Sequence, residues 1–470
     1  MDYLKLSLKE LSDGVKSGKF SSEGLVKFYI KRIDEFKEYN AIIEVFDDAI
    51  SQAKDIDEKI KTGKKLGKLA GVPVVIKDNI LCNGKKMSCA SKFLKDYVAP
   101  YDATIITKLK NEGAVILARS NMDEFAMGGS CEKSVYGATL NSHDKSRVAG
   151  GSSGGSAVAV ALGLCPFALG TDTGGSIRQP SSFNGVVGMK PTYGTVSRFG
   201  IVAFASSTDQ AGPITRTIED NEYVLEILAG KDQNDQTSIE SDLGKSLQKK
   251  SYRVAICKEL MEKMNGIKQY PKFMKMLEGL KSKGILVKEV SVPHILNSLA
   301  CYYILTPAEA TSNLARFDGV KYAKRSDDAK TIDEIYVKSR SEGFGDEVKR
   351  RIMLGNFVLS SGFFDAYYMK AKKLQKLLRK EFDNALSDID AILMPTTPDV
   401  AFKIGEKMHD PVSMYLEDLF TVPASIAGVP ALSIPYDIDE KGMPLGLQLI
   451  GKGRSEKVLY DIAKLVMGEV

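Results

Sequence analysis

Between Val148 and Thr215 the chain carries only five charged side chains in 68 residues (Asp172, Arg178, Lys190, Arg198 and Asp209), although 27% of its 470 residues are charged. The same window holds 13 of the 41 glycines and nine serines. A stretch so poor in charge must be largely buried. A stretch so rich in Gly and Ser is not plain core, because glycine loses the most backbone entropy on folding and a buried hydroxyl needs partners. The usual reason to bury such loops is a site built from backbone N–H groups and hydroxyls. Any fold for this chain has to wrap ordinary elements around that window.

The flanking segments supply them. Residues 5 to 66 read as helical, with Leu11, Val15, Leu25, Tyr29 and Ile33 recurring at roughly helical spacing and Ser21-Ser22-Glu23-Gly24 offering a helix start. The β-branched run Val72 to Ile76 reads as a buried strand that delivers Lys77 at its C-terminal end, and Ala114 to Ala118 as a second strand after a helix over 103–112. Pro166 to Gly170 reads as a strand. Later strands are expected at 252–256, 284–292, 391–395, 430–435 and 445–450, with helices over 270–283 and 363–386 and a surface excursion over 230–250. Alternating helices and strands indicate α/β architecture. No repeat and no strong linker divides the chain. A single domain over 1–470 is expected, with an N-terminal helical region (1–66), a core (67–215) and a remainder (216–470).

Composition removes several function classes. Apolar residues make up 43%, as in an ordinary globular protein, and Lys+Arg 65 against Asp+Glu 60 leaves only +5. That is well short of the dense basic footprint of a self-sufficient nucleic-acid binder, although it leaves room for a basic patch. The longest apolar run, Ala157 to Gly170, is 14 residues and contains Pro166, too short for a membrane-crossing helix. The start shows no apolar signal segment. Six scattered cysteines without a CxxC pair point to reduced thiols in a cytoplasm rather than to disulfides or zinc. The three histidines, His143, His294 and His409, form no metal-ligand spacing and read as surface or loop residues. Their scarcity disfavours Ser-His-Asp chemistry.

Three segments carry chemistry: Lys77 at its strand end, Gly150-Gly-Ser-Ser-Gly-Gly-Ser156, and Gly170-Thr-Asp-Thr-Gly-Gly-Ser-Ile-Arg178. The glycine loop alone is most simply a tight turn. It lacks the lysine of a phosphate-binding P-loop, and its G-x-S-x-G matches follow a charged loop rather than a strand. The third segment changes the balance. After the strand, Thr173-Gly174-Gly175-Ser176 is a turn whose glycines can aim successive N–H groups into one concavity, as an oxyanion hole requires. Ser176 would sit beside those donors. A serine nucleophile needs a base, and a lysine desolvated at a buried strand end is a candidate because burial lowers its pKa toward neutrality. Taken singly, Lys77 is better read as snorkelling to solvent or paired with Asp78.

Gly150 to Ser156 followed by Gly170 to Pro180, with Lys77-Asp78-Asn79, resembles the amidase signature family. The resemblance implies a Ser–Ser–Lys triad: Ser176 as nucleophile, Ser152 as bridging serine on a peptide that is often cis, and Lys77 as base. The N–H groups of Thr173, Gly174, Gly175 and Ser176 would form the oxyanion hole. It also implies an α/β/α fold with a large mixed sheet flanked by helices. Asn121 to Ser130, Gly188 to Gly194, Val196 to Ser206, Ser341 to Gly345, Val348 to Ile352 and Leu359 to Tyr368 resemble the branch formed by the A subunits of glutamyl-tRNA(Gln) amidotransferases. That likeness covers residues 70 to 470 strongly and the N-terminal helices loosely. Ala149 stands where that family usually has proline.

What the branch implies is specific. Its members hydrolyse L-glutamine through an acyl-enzyme, and ammonia travels to a B subunit that amidates Glu-tRNA(Gln) with ATP and magnesium. A small C subunit completes a heterotrimer. tRNA is held mainly by the partner, and this chain needs no cofactor, metal or membrane. By motif position Arg351 would meet the glutamine carboxylate, Asp418 its ammonium, and Tyr302 would line the pocket. Read without the resemblance, Arg350 and Arg351 could be a helix-surface pair, Asp418 a solvated loop acid and Tyr302 core. The alternatives are a stand-alone amidase acting on other small or acyl amides, which an apolar pocket would suit, and a nucleotide- or phosphate-binding module.

Overall fold

In the computed structural model, which describes residues 2–243, 251–264 and 266–468, the chain builds one mixed sheet of eleven strands flanked by helices. In chain order the strands are β1 (Ile42–Val45), β2 (Pro73–Lys77), β3 (Val115–Ser120), β4 (Phe167–Asp172), β5 (Val187–Lys190), β6 (Gln210–Thr215), β7 (Arg253–Cys257), β8 (Leu286–Val290), β9 (Ala391–Pro395), β10 (Ala431–Ile438) and β11 (Pro444–Ile450). Their spatial order is β1-β3-β2-β4-β6-β5-β10-β11-β9-β7-β8. The runs β3-β2-β4 and β9-β7-β8 are parallel, and the remaining neighbours are antiparallel.

Burial follows from this order. Strands β2, β3, β4, β6 and β9 are buried at every position, as strands covered on both faces must be, and β9, the first four residues of β2 and the first four of β3 are correspondingly continuous apolar runs. Strand β8 lies at an edge and exposes Leu286, Glu289 and Lys288 on a charged margin, which blunts it against further pairing. The helix Gly154–Ala161 packs on β4 and β2 and is buried on nearly every side, which is why it carries only Gly, Ser, Ala and Val. A second helical layer brings Ser298–Asn313 against Asp346–Leu359 and Met369–Ala385.

Three expectations need correction. The region 5–66 is not all helix: Leu8–Lys16, Ser22–Glu35 and Ala49–Lys61 are helical, but Ile42–Val45 pairs antiparallel with β3 as an edge strand. Four residues are too few for periodicity to separate from a helix end. The helix expected over 363–386 begins at Met369, after a wide π-type turn over Phe364–Tyr368. Strands β5 and β6 lie outside the expected strands, because both are buried throughout and so show no alternation, while Gly188 in β5 and Gly212-Pro213 in β6 interrupt any continuous apolar run. Part of the excursion expected over 230–250 lies outside the described residues. Among the described residues no helix is long and apolar enough to cross a membrane, and the six cysteines are buried free thiols.

Candidate active site

Parallel pairing assembles the first half of the site. Ile76 of β2 lies opposite Leu169 of β4, so both strands end on the same side, and Lys77 emerges beside Thr171. The carboxyl ends of parallel strands are where α/β folds commonly place ligands. The Lys77 amine is fully buried and donates to Ser152 Oγ at 2.7 Å, Ser153 Oγ at 2.9 Å and Thr171 Oγ1 at 2.9 Å. Its neighbour Asp78 turns away to Arg119, at 2.7 Å, and to Ser88, so Lys77 is neither snorkelling nor paired with Asp78. Burial pushes the Lys77 pKa down to about 7, against the opposing pull of Asp123, Cys131, Asp172 and Asp209.

The serine loop is fastened from three directions. The Gly151–Ser152 peptide is cis. Gln179 accepts from Gly151 N at 2.8 Å and donates to Gly129 O at 2.7 Å. Asp123 N donates to Ser152 O at 3.3 Å, and the Asp123 carboxylate accepts from Cys131 N at 2.9 Å. Ser153 N donates to Ser176 O at 3.1 Å, which joins this loop to the turn after β4.

That turn is held open by buried charge. Arg178 grips Asp172 with two hydrogen bonds of 2.9 Å and spends its remaining donors on Thr421 O, Gln448 Oε1 and Ser425 Oγ. Burial alone would raise the Asp172 pKa, and Arg178 outweighs it and keeps the carboxylate ionised. Thr173 Oγ1 donates to Asp209 at 2.7 Å, whose other oxygen accepts from Phe204 N and Ala205 N. The N–H groups of Gly174, Gly175 and Ser176 have no acceptor among the described residues. Buried N–H groups are nearly always paired, so three successive orphans mark a place for an anion or oxyanion. Gly174 is required by close approach, since a Cβ there would stand 2.6 Å from the Tyr302 ring, and Gly175 by its φ of +149°.

The second half comes from the helical layer. A narrow pocket is lined by Gly128, Gly174, Ser176, Tyr302, Tyr303, Arg351, Met414 and Asp418. All the residues expected to meet substrate therefore converge on the segment that carries Ser176. Tyr302 is buried on the helix Ser298–Asn313, and burial raises its phenol pKa. Arg351 is buried among the rings of Phe204, Tyr303 and Tyr415, at 5.4, 5.4 and 5.9 Å, and is not half of a surface pair; only Arg350 is substantially exposed. Asp418 accepts from Tyr303 Oη at 2.7 Å, and burial pushes its pKa up to about 7 despite Tyr303 and Arg351.

The histidines stand apart from the triad. His143 lies against Asn184 O and His294 against Glu381, while His409 lines a separate charged cavity of about 560 Å³ with Lys92, Glu124, Lys133 and Glu347. No metal-holding cluster occurs among the described residues. Sequence reasoning missed Ser153 and Thr171 as partners of Lys77, since spacing does not choose among neighbouring hydroxyls. It missed Tyr303, and it missed Glu347, which the i,i+4 helix rule would have paired with Arg351.

Residues 24–459 match the model of the amidase family. A solved structure described as an amidase is 31% identical, with a TM-score of 0.85, covering 99% of this chain and 100% of that one. The chain is thus an enzyme of the amidase family. A glutamyl-tRNA(Gln) amidotransferase A subunit of Clostridium acetobutylicum, the one numbered 2, is 47% identical over 486 residues, covering all of both chains. The crystal structure of the glutamyl-tRNA(Gln) amidotransferase A subunit from Thermotoga maritima is 38% identical with a TM-score of 0.80, covering 99% of this chain and 95% of that one. Within the amidase family, the chain belongs with these amidotransferase A subunits.

Proposed function

We propose that this chain is the glutamine-hydrolysing subunit of a tRNA-dependent amidotransferase. The observation that carries the reading is a single pocket that holds Ser176 together with one buried cation, Arg351, and one half-buried carboxylate, Asp418. A zwitterionic amide such as L-glutamine needs both charges, and an apolar amide needs neither. In this reading neutral Lys77 takes the proton of Ser152 as Ser152 takes that of Ser176. Ser176 Oγ attacks the amide carbon, and the N–H groups of Gly174, Gly175 and Ser176, with Thr173, receive the developing oxyanion. The proton returns through Ser152 to the leaving nitrogen, and ammonia departs. Water then cleaves the acyl-enzyme by the same relay and releases glutamate.

The likeness to proteins named for glutamyl-tRNA(Gln) extends the reading to partners. Ammonia would pass to a B subunit that uses ATP and magnesium on Glu-tRNA(Gln), with a small C subunit bound beside it, in the cytoplasm. The test is ammonia release from L-glutamine by the chain isolated with whatever binds it in its own cells, with Ser176→Ala in parallel. Ser176-dependent release with two further subunits in the eluate is expected. Release from other amides but not glutamine, with the chain recovered alone, would establish a stand-alone amidase instead.

A further inference from the structure

We propose that Glu347 is a positioning residue that aims the Arg351 guanidinium, and that it thereby sets the preference of the pocket for amides carrying an α-carboxylate. The inference rests on the reading of Arg351 above. Glu347 lies one helical turn before Arg351, with both side chains nearly inaccessible at 4% and 6% exposure. Its Oε1 accepts from Arg351 Nε at 2.9 Å, while Oε2 takes Lys133 Nζ at 3.0 Å and a contact from Arg350. Burial works against charge here, yet Arg351 and Lys133 hold the Glu347 pKa down to about 2, so the carboxylate stays ionised. Engaging Nε fixes the plane of the guanidinium. Nη1 and Nη2 have no acceptor among the described residues, and Arg351 lines the pocket. A fork held at one nitrogen and open at two is arranged for a planar bidentate anion.

Lys133 ties this pair to the reacting centre. Lys133 N donates to Asp123, and Asp123 N donates to Ser152 O. The neighbouring Glu124 accepts from Gly345 N at 2.9 Å, at the start of the helix that bears Arg351. One loop therefore registers the substrate arm against the serine loop.

The direction of one effect separates orientation from mere charge. Removing the Glu347 charge makes the pocket more positive, so a purely electrostatic role predicts a lower KM for glutamine. An orienting role predicts a higher one. Glu347→Gln keeps the size of the side chain. In the chain isolated with its partners, we expect KM for L-glutamine to rise ~10-fold or more with kcat little changed. Hydrolysis of 4-aminobutanamide, which lacks the carboxylate, should be unaffected. Glu347→Asp, which keeps the charge but withdraws the carboxylate from Arg351 Nε by one methylene, should raise KM several-fold where mere charge predicts no change, and keeps the test available where Glu347→Gln fails to fold. An unchanged or lowered KM, or equal losses on both amides, overturns the inference alone. A wild-type enzyme that does not prefer glutamine over 4-aminobutanamide overturns the reading of Arg351 as well.

Discussion

Two groups of the site are shifted toward neutrality by the same cause, and they should leave different marks on the kinetics. Burial lowers Lys77 to about 7 and raises Asp418 to about 7. Lys77 works as a base only when neutral, above its pKa. Asp418 binds an ammonium only when ionised, also above its pKa. Lowering the pH from 8 to 6 should therefore cost each function about 10-fold. In the free enzyme both groups must be correct, so kcat/KM for L-glutamine should fall about 100-fold, with a limiting slope of two. In the complex the ammonium of the substrate holds Asp418 ionised, so kcat should fall only about 10-fold, with a slope of one. Asp418→Asn removes the second titration and should reduce the slope of kcat/KM to one. The range stops at pH 6 because Asp209, pushed up to about 6 by its own burial, begins to titrate there. Steady-state ammonia release at five pH values suffices. A kcat flat from pH 8 to 6 would refute the assignment of Lys77 as base, and a slope in kcat/KM unaltered by Asp418→Asn would refute the role of Asp418.

Ser176→Ala should abolish ammonia release and leave the melting temperature in place; retained release would end its assignment as nucleophile. Lys77→Met should be inactive yet melt no lower than wild type at pH 7. The lysine pKa, lowered on folding, opposes folding increasingly as pH falls from the ordinary lysine range to about 7. A drop of more than about 5 °C would contradict this. Arg178→Met leaves Asp172 buried without its partner and should cost about 3–5 kcal/mol in denaturant unfolding; an unchanged midpoint would show that the pair is dispensable. Gly174→Ala places a methyl against the Tyr302 ring and should lower kcat/KM at least about 10-fold while unfolding stays cooperative.

The parts of this site legible in the sequence were those encoded locally. A β-branched run ending in Lys77 and a charge-poor turn ending in Ser176 each announce their own structure. Their convergence required the parallel register of β2 and β4, which no local pattern carries. The substrate arm was less legible. Arg351 and Tyr302 sit on helices whose sequences read equally well as surface and core, and only the family resemblance singled them out. Strand β1 was lost because four half-buried residues between two helices show neither period. Asp209 was invisible as a site-bearing residue, since a lone acid in a loop gives no hint that it accepts from both Thr173 and the Phe204 turn.

The buried acids around Lys77 explain how a lysine can be poised rather than simply silenced. Desolvation alone would carry a fully buried lysine several units below its ordinary pKa. Asp123, Asp172 and Asp209 each pull it back, from three different segments, without touching the amine, whose own contacts are all uncharged oxygens. A direct ion pair would overshoot and fix Lys77 as a cation. Each acid is occupied elsewhere: Asp123 by the loop toward Lys133, Asp172 by Arg178, and Asp209 by Thr173 and the Phe204 turn. The same three residues that fasten the serine loop, the oxyanion turn and the Phe204 turn therefore also raise the basicity of the amine. Substituting one of them should move geometry and pH profile together, which is the signature that separates this arrangement from a lysine tuned by burial alone.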